Sequence, residues 1–229
     1  MTRDEQKRAV AEAALCYLTP GDTVGVGTGS TAALFIDQLA AHPELVAAAV
    51  PSSEATAAAL RDAAIRVVGL DEAPAPAVYV DGADTVDPEL RLIKGAGGAL
   101  VREKIVASAS RLFVCVVDES KLSDRLDGPT GDHPEGAPVP LAVVPMAAPL
   151  VSARVRALGG RAAARPGYLT DDGLVILDVS GLTLDDPVRL EVALDAIPGV
   201  VENGIFAGRP ADVVLAGSGT GVQTLLPPS

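Results

Sequence analysis

At 229 residues, 48% of them hydrophobic and 21% charged, the chain is long enough for one large or two modest domains and apolar enough to bury a core, so it is not a disordered polypeptide. Only 3% of residues are aromatic and Trp is absent, which leaves Val, Leu, Ile and Ala to build that core. A formal net charge of −12 argues against nucleic acid or anionic membrane as a partner, because both demand a basic footprint; any cation that meets an acidic ligand must act locally.

The opening MTRDEQKRAV is charged and carries no apolar signal core. No stretch free of Gly, Pro and charge reaches the roughly 18 residues of a membrane span. A soluble, cytoplasmic protein is expected. Cys16 and Cys115 both lie in apolar runs without a nearby His, so both are expected to be buried, inert thiols in a reducing compartment.

In chain order, residues 4–17 have a helical pattern that ends before Pro20-Gly21. A strand at 23–26 runs into Gly27-Thr28-Gly29-Ser30-Thr31 and a helix through residue 39. A short strand at 48–50 precedes a helix at 53–64, with Ser52 or Ser53 as its cap. Strands follow at 66–69 and 78–80, a helix at 97–109 and a fully buried strand at 112–117. This β-α-β-α order predicts a parallel, doubly wound sheet with helices on both faces.

After Lys121 the pattern changes. Residues 127–138, DGPTGDHPEGAP, form a Gly/Pro/Asp loop without apolar anchors, expected to be mobile and tolerant of change. Beyond it come strands at 139–144, 161–165, 174–179 and 200–206 and helices at 147–158 and 187–196, the β-α-β-β-α-β order of a ferredoxin-like unit. A last buried strand at 212–216 can rejoin the first sheet. The expected fold is α/β: a Rossmann-like doubly wound parallel sheet (1–128 and 206–229) with an inserted ferredoxin-like α+β domain (129–205).

Three segments carry chemistry. In VGVGTGSTAALFI, a helix N-terminus with free amides and adjacent hydroxyls suits an anion such as phosphate. The turn lacks the Gly-Lys-Ser/Thr of a Walker loop and is no clean dinucleotide fingerprint, yet a merely tight βα turn stays open as well. In VYVDGADTVDP, Asp81 and Asp84 follow directly on a strand, where ligands of open α/β sheets bind; the same residues could simply cap a turn. In LRLIKGAGGALVREK, Lys94 precedes a Gly95-Ala96-Gly97-Gly98 turn that leads to Glu103. Glu103 lies in an otherwise apolar helix, either on a solvated face with Arg102 and Lys104 or as a partly buried general base.

Of 18 basic residues only Lys7, Lys94, Lys104 and Lys121 are Lys, and two of these stand at candidate site positions, where a compact ammonium can point at one oxygen. His42 and His133 lie in Pro-containing loops, which argues against His-based acid–base chemistry, and no His/Cys cluster has metal-ligand spacing.

With GVGTGSTAA, YVDGAD, LIKG-x-GGAL-x-REKIVA, VDESK, LTDDGLVILDV, IPGVVENGIF and GTGVQTL in order, the chain resembles the A-type ribose-5-phosphate isomerases from Lys7 to Leu225. The resemblance implies a substrate loop at Thr28, Gly29, Ser30 and Thr31. It implies further substrate contacts at Asp81, Gly82, Ala83 and Asp84, at Lys94, Gly95, Ala96 and Gly97, and at Lys121. It also implies Glu103 as the proton-transferring base, the same two-part fold, no metal or cofactor, a sugar phosphate as substrate, and a homodimer or tetramer. Thr85, Ala96, Ala142 and the longer link after Lys121 depart from the family pattern. The mechanism implied is aldose–ketose isomerisation through a cis-enediolate, with Glu103 moving the proton, Lys94 stabilising the oxyanion and Asp81 or Asp84 shuttling hydroxyl protons. Two other readings compete with it. A haloacid-dehalogenase-type Mg²⁺ phosphatase needs one residue between its aspartates, whereas two separate Asp81 from Asp84; a non-catalytic sugar-phosphate sensor has no need of Glu103.

Overall fold

The computed structural model describes residues 1–228; residue 229, the last of the expected first domain, lies outside them. In chain order the elements are α1 (Arg3–Ala14), β1 (Asp22–Val26), α2 (Ser30–Ala41), β2 (Val46–Pro51), α3 (Glu54–Asp62), β3 (Val78–Asp81), β4 (Thr85–Val86), β5 (Leu92–Ile93), α4 (Leu100–Ala109), β6 (Leu112–Asp118), β7 (Val139–Val143), α5 (Ala148–Ala157), β8 (Arg161–Ala164), β9 (Val175–Ser180), α6 (Pro187–Asp195), β10 (Val200–Asn203), β11 (Ile205–Phe206), β12 (Val213–Ser218) and β13 (Gly221–Leu225). They form a mixed α/β fold of two compact units, one of residues 1–83, 102–120 and the chain from 211 on, the other of residues 84–101 and 121–210.

The first unit holds a six-stranded sheet in the order β13-β12-β6-β3-β1-β2. All neighbours are parallel except the edge strand β13, which pairs antiparallel with β12. The expected return of the strand at 212–216 is β12 beside β6. Side chains alternate across the sheet as the pleat demands. Val24, Val26, Val78, Val80, Val114 and Val116 face Val10, Phe35, Leu39 and Leu60 of α1, α2 and α3 in one apolar cluster. On the opposite face Tyr79 and Phe113 stack with ring centroids 5.1 Å apart. There α4 comes so close that a Cβ on Gly25 would stand 2.7 Å from Val106 Cγ1. Two helix starts are capped as the sequence chemistry predicts. Thr2 and Glu5 make a reciprocal capping box on α1, and Ser53, not Ser52, caps α3.

The second unit contains a four-stranded antiparallel sheet in the order β10-β7-β9-β8, with α5 and α6 as its crossovers. Its apolar cluster joins Leu141, Val143, Leu177 and Val179 of the sheet to Val151 and Val155 of α5 and Leu194 of α6. The β-α-β-β-α-β connection with this strand order is the split βαβ arrangement. A small three-stranded sheet, β11-β5-β4, accompanies it.

Several sequence expectations are corrected. Residues 66–69 make one bridge, Val67 to Ala49, because Gly69 turns the chain before a ladder can extend. The expected strand 200–206 is two strands in two sheets, since Gly204 donates to Pro140 O at 2.8 Å and a Cβ there would overlap Lys94 O. The helix expected at 97–109 starts at Leu100; Gly98 has φ +80°, outside the helical region. Cys16 is exposed, because the 3-10 turn Leu15–Tyr17 breaks the helical phase, whereas Cys115 is buried. Residues 84–101, 121–128 and 206–210, placed with the first domain by sequence, group with the second unit, where β4 and β5 pair with each other and β5 with β11. The 127–138 loop is anchored. Arg125 binds Asp127 and Asp185, the Leu184 amide donates to Asp127, and Thr130 and His133 pair through their backbones.

Candidate active site

In the first unit the site grows from the ends of β1 and β3. The Gly27 amide donates to Val80 O at 2.9 Å, and a Cβ on Gly27 would overlap the Asp81 carboxyl, so only glycine lets the two strand ends close up. Asp81, fully buried, accepts from the Thr28 amide at 3.1 Å and the Gly82 amide at 2.7 Å on one oxygen and from the Tyr79 hydroxyl at 2.5 Å on the other. This holds its carboxylate in one orientation at the mouth of the turn.

Thr28 is also held from its other side. Its hydroxyl lies 3.0 Å from both Ser52 Oγ and Ser53 Oγ and 3.3 Å from Thr56 Oγ1, and Thr56 donates to Gly27 O at 2.8 Å. Gly29, at φ +121°, is the N-cap of α2, and no side chain caps that helix. Its first amides are therefore presented beside Ser30, whose hydroxyl accepts from Lys7 Nζ at 3.0 Å.

Glu103 stands in the first turn of α4 and is 3% exposed, which removes the solvated-face reading. Of its neighbours on the helix, Arg102 pairs with Glu54 at 2.8 Å. The charges of Asp81 and Glu103 both act on Tyr79. Burial first, then these two carboxylates, push the Tyr79 phenol well above its ordinary value of 10.0. It stays protonated and serves as a donor to Asp81.

A raised folded-state pKa contributes stability that is complete below the unfolded value and lost as pH rises beyond it. Wild-type thermal stability should therefore fall as pH rises from about 10, and Tyr79→Phe should flatten that alkaline limb. Melting curves between about pH 9 and about pH 11 check this; parallel curves for the two proteins would show that Tyr79 does not set the slope.

In the second unit Asp84 and the glycine turn assemble around β5. The Asp84 amide donates to Ile93 O at 2.8 Å and its carboxylate accepts from the Ala96 amide at 3.0 Å. Lys94, 3% exposed, donates its amide to Gly204 O at 2.9 Å, and its ammonium lies 5.6 Å from the centre of the Phe206 ring. Gly95 has φ +105°, and Tyr168 fills the place of a Cβ on Gly98 while donating to Gly97 O at 3.0 Å. A cavity of about 340 Å³ opens here, lined by Asp84, Ala96, His133, Pro140, Arg165 and Asp178. Lys121 pairs with Asp132 of the 127–138 loop at 2.7 Å.

Sequence reasoning missed Tyr79, Thr56, Arg165 and Asp178. Tyr79 and Thr56 read as ordinary members of a strand and a helix. Arg165 and Asp178 stand far from the glycine turn in the chain, and nothing local marks them. His133, by sequence only a residue of a Pro-containing loop, lines the cavity beside Asp84.

Polar groups gathered at the carboxyl ends of parallel strands, next to an uncapped helix N-terminus, are the arrangement in which open α/β folds suit a small anionic ligand. Residues 48–221 match the family model of ribose 5-phosphate isomerase A (phosphoriboisomerase A). The chain is 42% identical to ribose 5-phosphate isomerase A from Neisseria gonorrhoeae, over 100% of this chain and 99% of that one, with a TM-score of 0.94. It is 39% identical to the enzyme from Methanocaldococcus jannaschii, over 98% and 100%, with a TM-score of 0.90. A D-ribose-5-phosphate isomerase in complex with phospho-erythronic acid is 37% identical over 99% and 100%, with a TM-score of 0.92. The chain belongs to the ribose 5-phosphate isomerase A family and is an isomerase.

Proposed function

We propose that this protein interconverts D-ribose 5-phosphate and D-ribulose 5-phosphate through a cis-enediolate, in the non-oxidative pentose phosphate pathway of the cytoplasm and as a homodimer. The buried Glu103 carboxylate carries the reading, because proton transfer between C2 and C1 needs a base shielded from water. Glu103 takes the C2 proton and returns it to C1. Lys94 stabilises charge developing on the carbonyl oxygen. Asp81 or Asp84 relays hydroxyl protons and assists ring opening. Thr28, Gly29, Ser30 and Thr31 anchor one end of the substrate at the α2 N-terminus. The backbone at Gly82 and Ala83, the turn at Gly95, Ala96 and Gly97, and Lys121 supply the remaining contacts.

Phospho-erythronic acid, the ligand named for one similar structure, supports this reading through its chemistry: it pairs a phosphate with a planar, negatively charged carboxylate, and an enediolate phosphate likewise pairs a phosphate with a planar, negatively charged centre. Among the described residues no group of three or more His, Cys, Asp or Glu is placed to hold a metal ion, so Lys94 is assigned the electrophile's part. Conversion of ribose 5-phosphate to ribulose 5-phosphate is expected to persist in full after exhaustive chelation. Loss of turnover that Mg²⁺ or Zn²⁺ restores would favour a metal-dependent reaction, and tight binding without turnover would favour a sensor.

A further inference from the structure

Arg165 is absent from every role assigned above, yet its guanidinium hydrogen-bonds both the glycine turn and Asp178. Its Nε and Nη2 donate to the two Asp178 oxygens, both at 2.7 Å, in a bidentate fork. The guanidinium stands beside the Tyr168 ring, 5.8 Å from its centre. From that fixed position Nη1 donates to Ala96 O at 2.8 Å and Nη2 to Gly95 O at 3.2 Å.

The consequence follows from peptide planarity. The Gly95 carbonyl and the Ala96 amide belong to one trans peptide unit, so they point in opposite directions. Arg165 grips the carbonyl end, and the Asp84 carboxylate takes the N–H end at 3.0 Å. Turning that plane would break the bond to Asp84 and swing the backbone that carries Lys94. Gly95, at φ +105°, cannot resist such a turn by itself, because glycine has no Cβ to restrict it.

We infer that Arg165, locked by Asp178, is a positioning residue: through the Gly95–Ala96 peptide it sets the orientation of the Asp84 carboxylate and of the Lys94 turn for the isomerisation. A planar fork is required. A lysine at 165 could reach one carbonyl but could not hold Asp178 with two parallel bonds while spanning both carbonyls. The inference rests on the proposed catalytic roles of Asp84 and Lys94.

The test measures kcat and KM for ribose 5-phosphate with Arg165→Lys, Arg165→Ala and, as a control, Lys94→Ala. Both Arg165 variants should lose about 10–100-fold in kcat, the scale of an ångström-sized misplacement, with KM changed by less than about 3-fold. Millimolar guanidinium should restore part of the Arg165→Ala loss. If Arg165→Ala does not fold, Asp178→Asn preserves size and one acceptor and should show the same kcat-selective fall, less deeply. Variants with normal kcat beside an inactive Lys94→Ala would overturn the inference alone. A rise confined to KM would overturn it too, by making Arg165 a direct substrate contact. Normal turnover in Lys94→Ala would overturn both the inference and the site reading beneath it.

Discussion

Glu103→Gln is expected to lower turnover by about 10²–10⁴-fold, the usual worth of a positioned general base. The amide keeps the size and hydrogen-bonding reach of the carboxylate but cannot take a proton from carbon. Glu103 is 3% exposed in the first turn of α4, so bulk water is a poor substitute for it. Binding should change by only a few-fold, because Thr28, Ser30, Asp81, Asp84, Lys94 and Lys121 are left in place. In deuterated water the wild type should wash the C2 hydrogen out of the substrate and the variant should not. An exchange rate equal to wild type would move the base to Asp81 or Asp84. Active Glu103→Gln would also end the distinction between enzyme and sensor that this carboxylate draws.

Lys94→Arg is the second large effect, although charge is retained. Removing a donor from a developing oxyanion costs about 10²–10³ in kcat, and misplacing one by an ångström costs about as much. Lys94, directly after β5, is 3% exposed, its ammonium held over Phe206. Space next to it is scarce: even a Cβ on Gly95 would stand 3.1 Å from Leu100 and 3.2 Å from Pro140. A guanidinium is broader, planar and aimed as a fork, so it must displace the turn or leave the site. Overpacking of this kind costs about 1–3 kcal/mol of stability, so melting curves should be recorded with the kinetics. Turnover within a few-fold of wild type would reduce Lys94 to a general source of positive field.

The parallel sheet was legible because each of its strands is a short apolar run followed by punctuation. Val24 and Val26 precede glycines, Val78 and Val80 precede Asp81, and Leu112–Asp118 is apolar until its last residue. The second unit was legible from its β-α-β-β-α-β order. Two-residue strands were not, since β4, β5 and β11 are too short to show a period and exist only through mutual pairing. The break at Gly204 depends on Pro140 and the Lys94 carbonyl, both distant in sequence.

The candidate site divides in the same way. Motifs are local, so the turns at 27–31, 81–84 and 94–98 could be picked out from glycines, acids and a lysine next to strand ends. Whether Glu103 is solvated or buried could not, because its helix has neighbours of both kinds, and burial is a property of what packs on it. The clamps were equally hidden: Tyr79 on Asp81, the hydroxyls of Ser52, Ser53 and Thr56 around Thr28, and the Arg165–Asp178 fork on the glycine turn.

By itself, then, the sequence determined the alternation of elements, the residue types at the strand ends and the family, because periodicity, turn chemistry and long motifs are written in contiguous residues. Only the tertiary structure decided which carboxylates are desolvated and which distant side chains hold the turns of the candidate site, because hydrogen bonds and excluded water depend on distances that folding alone creates.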